Sequence, residues 1–250
     1  MEITSHSLKQ PPRTQHEISG RDLSWYWFKG NEVPSRLLQN VCLFRSFVLY
    51  DSGFRKNFGH SGANYGDVQY SDFESYHIMA CYQDQLIGTV RITPPFTETV
   101  ASSVLGPTEY KELIQHLGTK LSQVIEINRL MVDARVRKLQ LGRTLMYAAV
   151  ALIENQWDRS QMTIIGSAGN VTKQAEFFQK HTDYERIEGI QEKFASAFHD
   201  QITFLKYRNP PYAKGQEWIE FFKEKLNETA KPHFDHLQMG YSEQSLLDLA

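Results

Sequence analysis

The chain predicts an α+β fold: a mixed, mostly antiparallel central sheet with one parallel strand pair and flanking helices. Three observations carry this. Residues 75–82 and 86–92 read as strands on either side of a tight connection, which makes an antiparallel hairpin. Two strand-to-helix units then follow one another, at residues 124–156 and 162–181. Successive units of this kind pair their strands in parallel through a right-handed crossover. Residues 184–190 and 194–207 offer two closing antiparallel strands. This order lacks the uniform alternation of a doubly wound sheet.

The composition agrees with a chain that fills a core. Of 250 residues, 41% are hydrophobic and 22% charged, which suits a soluble globular protein. A formal charge of −2 argues against a surface built for nucleic acid, so any basic patch is local. Cys42 and Cys81, the only cysteines, make no disulfide framework; they read as buried thiols in a reducing cytoplasm. The N-terminal stretch has no apolar signal core. The longest apolar run, residues 146–153, falls far short of the ~18 residues a membrane span needs.

Taken in order, residues 1–33 are expected to form an N-terminal arm, polar at first and broken by Pro11 and Pro12. Its aromatic run, residues 23–28, reads as a strand, a lid over an apolar ligand, or packing that fixes the arm to the core. Pro34 followed by Leu37, Leu38, Val41, Cys42, Phe44, Val48 and Leu49 marks an amphipathic helix. Residues 51–70 are too long for a plain connector, and their Phe54, Phe58 and Tyr65 are candidates for a pocket wall. After the hairpin, residues 97–119 form an insertion with a helix at 108–117. Residues 216–227 form a further amphipathic helix, with Trp218, Ile219, Phe222 and Leu226 on one side. The main domain is therefore expected at 34–207, with 208–250 as C-terminal helix and tail.

The chemistry centres on residues 124–156. A β-branched strand runs through a basic loop, Arg135 to Arg143, into a helix whose Leu141, Leu145, Ala148, Ala149 and Leu152 share a face. Unpaired N–H groups at the helix start, the helix dipole and the loop cations make a ready anion site; a solvated basic turn would look the same from spacing alone.

Within this loop, Arg137-x-x-Gln140-x-Gly142 resembles the acyl-CoA-binding signature of the GCN5-related N-acetyltransferase (GNAT) superfamily, with Gln140 where the first glycine is usual. The resemblance implies that Arg137, Lys138, Leu139, Gln140, Leu141, Gly142, Arg143 and Thr144 wrap the pyrophosphate of an acyl-CoA or the phosphate of an acyl-phosphopantetheine. It also implies that Leu130, Met131 and Val132 pair through their backbone with the pantetheine arm. Residues 170–189 resemble the superfamily's second motif at Asn170, Ala175, Phe177 and Lys180. That places Asn170, Phe177 and Phe178 at the donor, with Phe178 where many members carry the tyrosine that protonates the leaving thiolate.

A narrower resemblance is to the branch of acyl-homoserine lactone synthases, N-acyl amino acid synthases and ornithine-lipid acyltransferases. Asp72, Ser75, His77, Gly88, Arg91, Pro94, Glu126, Arg129 and Leu130 match its pattern, while Ile92 replaces a leucine. The branch implies a long-chain acyl donor, usually on acyl carrier protein.

Acyl transfer to an amine requires a proton to leave the ammonium. Glu126, on an otherwise apolar strand, should have a raised pKa and suits the general base, with His77 as the spare. The alternatives are a structural ion pair of Glu126 with Arg91 or Arg129, and a hydrogen-bonded core role for His77. Arg91 and Arg129 can hold an acceptor carboxylate, with Asp72, Phe54 and Phe58 as further substrate contacts. Strict alternation puts Glu126 and Arg129 on opposite faces, so a shared site needs a bulge between them. The N–H of Val132 or Asp133 is the candidate oxyanion donor. His233, Asp235 and His236 have metal-ligand side chains but no supporting pattern, and no metal is assigned. The residues together point to an N-acyltransferase that works by direct attack of a small-molecule amine. The alternatives are an acetyl-CoA-dependent N-acetyltransferase and a non-catalytic acyl-CoA sensor.

Overall fold

A computed structural model describes residues 23–53, 67–82 and 85–228. One eight-stranded sheet runs through it, in the order β1 (Leu23–Lys29), β2 (Tyr76–Tyr82), β3 (Gln85–Thr93), β4 (Val124–Val132), β5 (Thr163–Gly169), β8 (Asp200–Tyr207), β6 (Tyr184–Arg186). The short β7 (Lys193–Ala195) also pairs with β8. β4 and β5 are parallel, and every other pair is antiparallel. The α+β expectation, the hairpin and the parallel pair are all present.

The aromatic run expected within the arm is β1, an edge strand in full register with β2 from Leu23↔Tyr82 to Lys29↔Tyr76. Trp25 packs edge-on against Phe222, and Trp27 lies tilted against Tyr76. These rings therefore belong to the core's rim and do not form a lid.

The helix after Pro34 is α1 (Ser35–Asp51), which buries Leu37, Leu38, Val41, Cys42, Phe44 and Val48 against β1 and β2. A single helical turn, α2 (Ser71–Glu74), precedes β2. The insertion helix, α3 (Val100–His116), begins earlier than its apolar spacing suggests. Thr99 and Ser102 form a reciprocal capping box, and the chain leaves helical geometry at Gly106, before Pro107, so the sequence pattern registers only the second segment.

The crossover helix α4 (Leu141–Gln156) is buried on all sides from Leu145 to Ile153. One flank meets β2, β3 and β4; the other meets α6 (Gln216–Glu228), through Ile219, Phe222 and Leu226. A helix that is apolar all round needs such a double cover. Gly215 makes it possible, since a Cβ there would lie 2.1 Å from the Tyr147 ring. A short helix, α5 (Gln174–His181), follows β5. Among the described residues, no helix is long and apolar enough to cross a membrane.

Candidate active site

The site begins with a fault in the sheet. Arg91 of β3 pairs with Asn128 of β4, but Thr89 pairs with Met131, so two residues of β4, Arg129 and Leu130, face the single Val90. Arg129 takes a left-handed backbone (φ 52°). This is a bulge at Arg129 and Leu130; from Glu126 to Asn128 the register is regular, so the irregularity falls at Arg129 itself, where it re-aims the strand. The β4–β5 ladder likewise ends at Glu126↔Ile165. Beyond it the two strands border a cavity of about 490 Å³, within the usual range for ligand sites.

Asn128 to Val132 line one side of the cavity, and Ser167 and Gly169 the other. Gly142 and Gln140 stand at the start of α4, Gln174 and Phe177 come from α5, Val48 and Leu49 from α1, and Phe198 from the β7–β8 turn. Gln140 has a left-handed backbone (φ 56°) and offers no side-chain cap to α4. The first N–H groups of that helix are therefore left for a ligand at the cavity's edge. The backbone of β4 is within reach of a ligand too, since Leu130 O already accepts a hydrogen bond from Gln174 Nε2 (3.3 Å) across the opening.

Asp200 holds the far wall. Its carboxylate accepts N–H groups of Asn170 (3.1 Å), Val171 (2.8 Å) and Thr172 (3.4 Å), fixing the turn between β5 and α5. Gly169 is required there, because a Cβ would sit 2.0 Å from Asp200 Oδ2.

Behind the cavity lies a buried polar chain. Asp72 is fully buried and accepts from both Nη atoms of Arg45 (2.8 Å each), from Arg91 Nη1 (2.7 Å) and from the N–H of Gln69 (2.8 Å). Burial pushes its carboxyl up, but Arg45 and then Arg91 outweigh that, so the net displacement is well below the usual carboxylate range. Arg91 Nε donates to Asn128 Oδ1 (2.7 Å), and Asn128 Nδ2 donates to Thr93 Oγ1 (3.0 Å) and Glu126 Oε2 (2.8 Å). Burial lowers Arg91 to about 10.

Glu126 ends this chain with no exposed surface. Oε2 also accepts Val100 N–H (2.6 Å); Oε1 accepts Ala101 N–H (3.2 Å) and Ser167 Oγ–H (2.5 Å). All four partners are neutral, so Glu126 forms no ion pair with Arg91 or Arg129. Burial raises its pKa, and these hydrogen bonds only partly oppose the rise.

Several expected site residues are elsewhere. Asp72 has no acceptor capacity left for a substrate, and Arg91 stands behind Asn128 without lining the cavity. His77 is buried against Phe28 and donates through Nε2 to Asp72 O (2.9 Å). Burial, and then the charge of Arg45, push it down to about 3. Phe178 is a core residue stacked on Tyr184; its neighbour Phe177 faces the cavity. Leu141 packs beside Gly88 in the core, so only its backbone is at the loop. Asn170 Oδ1 accepts from Thr203 Oγ1 (2.9 Å), which ties that side chain to β8. Asp133 N–H donates to Ile87 O (3.0 Å), which removes it as an oxyanion donor. Arg135 is occupied by Asp133 (2.7 Å). Phe54, Phe58, Tyr65 and the His233–His236 group lie outside the described residues, as do the side chains of Arg137, Lys138 and Leu139.

Arg129 does reach the cavity, paired with Asp67 (3.3 Å) and lying over the Phe198 ring (5.1 Å). Sequence reasoning missed Ser167, Gln174, Phe198 and Asp200. Of these, only Ser167 carried a signal: a lone hydroxyl in an apolar strand.

Comparison with known proteins closes the assignment. Residues 59–195, more than half of the chain, match the model of the family described as N-acyl amino acid synthase FeeM. No curated protein matches the chain. Among solved structures, the CoA-dependent acyl-homoserine lactone synthase BjaI, determined with MTA, superposes with a TM-score of 0.53. That match has 13% identity over 90% of this chain and 97% of that one. The acyl-homoserine lactone synthase MesI gives 0.51 at 13% identity, over 82% and 96%. FeeM itself, an N-acyl amino acid synthase from uncultured soil microbes, gives 0.50 at 9% identity, over 76% and 93%. At such identities the structural likeness is one of fold, the GNAT-like acyltransferase fold; the family rests on the sequence match. The opened β4–β5 pair thus sits in a chain that belongs to the FeeM family of N-acyl amino acid synthases, and the protein is an acyltransferase.

Proposed function

We propose that the protein moves a long-chain acyl group from a thioester, on CoA or on acyl carrier protein, to the amine of an amino acid. The amine attacks the thioester directly, with no covalent enzyme intermediate. The observation that carries this reading is the cavity between β4 and β5, which has a helix N-terminus at one edge and Arg129 and Ser167 within it. The phosphate end of the donor lies at the start of α4, and its pantetheine arm pairs with β4 beside Leu130, displacing the Gln174 amide. The acceptor's carboxylate pairs with Arg129. Glu126 accepts the ammonium proton during the attack. Cys42 and Cys81 are buried and in no disulfide, which suits a reducing cytoplasm.

A chain-length series tests the reading. Each buried CH₂ contributes ~0.8 kcal/mol, about fourfold in affinity. Specificity constants with amino acid acceptors should therefore climb from acetyl toward donors of about ten carbons or more. Val48, Leu49, Phe177 and Phe198 supply the apolar wall; Trp25, Trp27 and Phe178 do not border the cavity. A peak at acetyl would return the protein to an acetyl-CoA-dependent N-acetyltransferase. Thiol release no faster than background, with any amino acid, would leave a binding protein.

Gly142→Asp should weaken donor binding roughly tenfold, because it sets a negative charge at a helix N-terminus meant for phosphate. The fold should survive, since an acid in the first turn favours the helix itself. Calorimetric titration with CoA checks this; unchanged affinity in a folded variant would remove the phosphate from this loop.

A further inference from the structure

We propose that Ser167 is the catalytic residue that takes the proton from the acceptor's ammonium and relays it to Glu126. This rests on the acyl-transfer reading above and adds a route for the proton.

The need for a relay follows from geometry. Glu126 has no exposed surface, and each of its oxygens already accepts two hydrogen bonds. An ammonium in the cavity cannot touch it. Three of its four partner residues, Val100, Asn128 and Ser167, border the cavity. Val100 contributes a backbone N–H, which does not exchange protons on a catalytic timescale. The Asn128 amide is fixed by Arg91, Thr93 and Glu126. Ser167 alone combines a hydroxyl, a place on the cavity wall and a 2.5 Å contact to the carboxylate.

The step balances without another reactant. A lone pair of Ser167 Oγ takes one N–H proton of the ammonium. The hydroxyl's own proton passes to Glu126 Oε1, which leaves a neutral carboxylic acid and a free amine. The amine attacks the thioester carbon, the C–S bond breaks, and the departing sulfur takes up the second N–H proton. After release, the Glu126 proton returns to solvent through the same hydroxyl.

The charged and titratable groups around this pair are Arg91 on β3, Tyr110 on α3 and Tyr184 on β6, with Arg129, Lys173 and Asp200 at the same cavity. None of them changes in a Ser167 variant, so a changed pH profile reports on the relay.

The test uses the full chain, a long-chain acyl-CoA and an amino acid acceptor. Ser167→Ala should lower kcat about 10²-fold near neutral pH, with little change in the donor's KM. The deficit should shrink as pH rises and the acceptor amine becomes free in bulk solution. Ser167→Thr, which keeps the hydroxyl, should restore most of the turnover. If Ser167→Ala does not fold, Ser167→Cys is read the same way: its longer, weaker hydrogen bond should lower turnover at neutral pH, and the loss should again fade at high pH. A deficit equal at every pH marks a structural role and overturns the relay, as does turnover near that of the unaltered protein. Absence of amide product from the unaltered protein overturns the acyl-transfer reading itself.

Discussion

Asp72→Ala should destabilise the fold by about 3–5 kcal/mol, the range for removing one partner of a buried ion pair. Asp72 neutralises two guanidinium groups, those of Arg45 and Arg91, at 2.8 and 2.7 Å, and all three side chains are almost wholly buried. Without it, Arg91 loses its carboxylate partner where water does not reach, and Arg45 keeps only Asp67, at 3.3 Å. The loss is a large share of the ~5–15 kcal/mol that holds an ordinary domain together. The denaturation midpoint of the variant should fall accordingly, and Asp72→Asn, which keeps one acceptor, should fall less. If Asp72→Ala unfolds at the same denaturant concentration as the unaltered protein, the ion cluster is not what fixes α1 to β3. The expectation that Asp72 meets substrate is replaced by this structural role.

Glu126→Gln should lower turnover by roughly 10² or more, the usual effect of losing a general base. Donor binding should hold, since the proposed donor site on β4 lies beyond the bulge. The base must be ionised, so activity in the unaltered protein should fall as pH drops through the raised Glu126 pKa, and this acid limb should vanish in the variant. There is a structural cost to separate from this. Both carboxylate oxygens face donors, and an amide can turn its NH₂ only toward Ser167, whose hydroxyl can rotate to accept. Ala101 N–H then loses its partner, at about 1–3 kcal/mol. Turnover measured on protein shown to be folded distinguishes the two effects. An unchanged pH profile would move the base elsewhere; the Nε2 of His77 is already committed to Asp72 O.

Much of the fold was legible because strands and helices here obey their own periods. The mostly apolar runs of β2 and β3 on either side of a tight connection, the β-branched run of β4 and the helical spacing of α4 each reflect one local rule. That β4 would break its alternation near Arg129 was legible in outline, but the bulge falls at Arg129 and Leu130, and Glu126 stays behind the cavity wall. What escaped was set by distant contacts. Ser167 matters because its strand lies parallel to β4, and Phe198 because a hairpin late in the chain returns over Arg129. The choice between Phe177 and Phe178 depends on which of two adjacent rings finds Tyr184, and no spacing rule decides that. Asp72 and Arg91 were recognised as a motif, but a motif does not say whether its charges meet a ligand or one another.

The double cover of α4 has a consequence for how the chain is made. During synthesis α4 emerges well before α6, with the sheet available to only one of its flanks. Its other flank, which Ile219, Phe222 and Leu226 will seal, stays wet until the last described helix leaves the ribosome. The nascent protein therefore carries an apolar stripe in its middle that its N-terminal portion cannot hide. Such a stripe is a natural target for holding chaperones. A fragment ending at Tyr207 should collect in aggregates, even though every strand of the sheet is present in it.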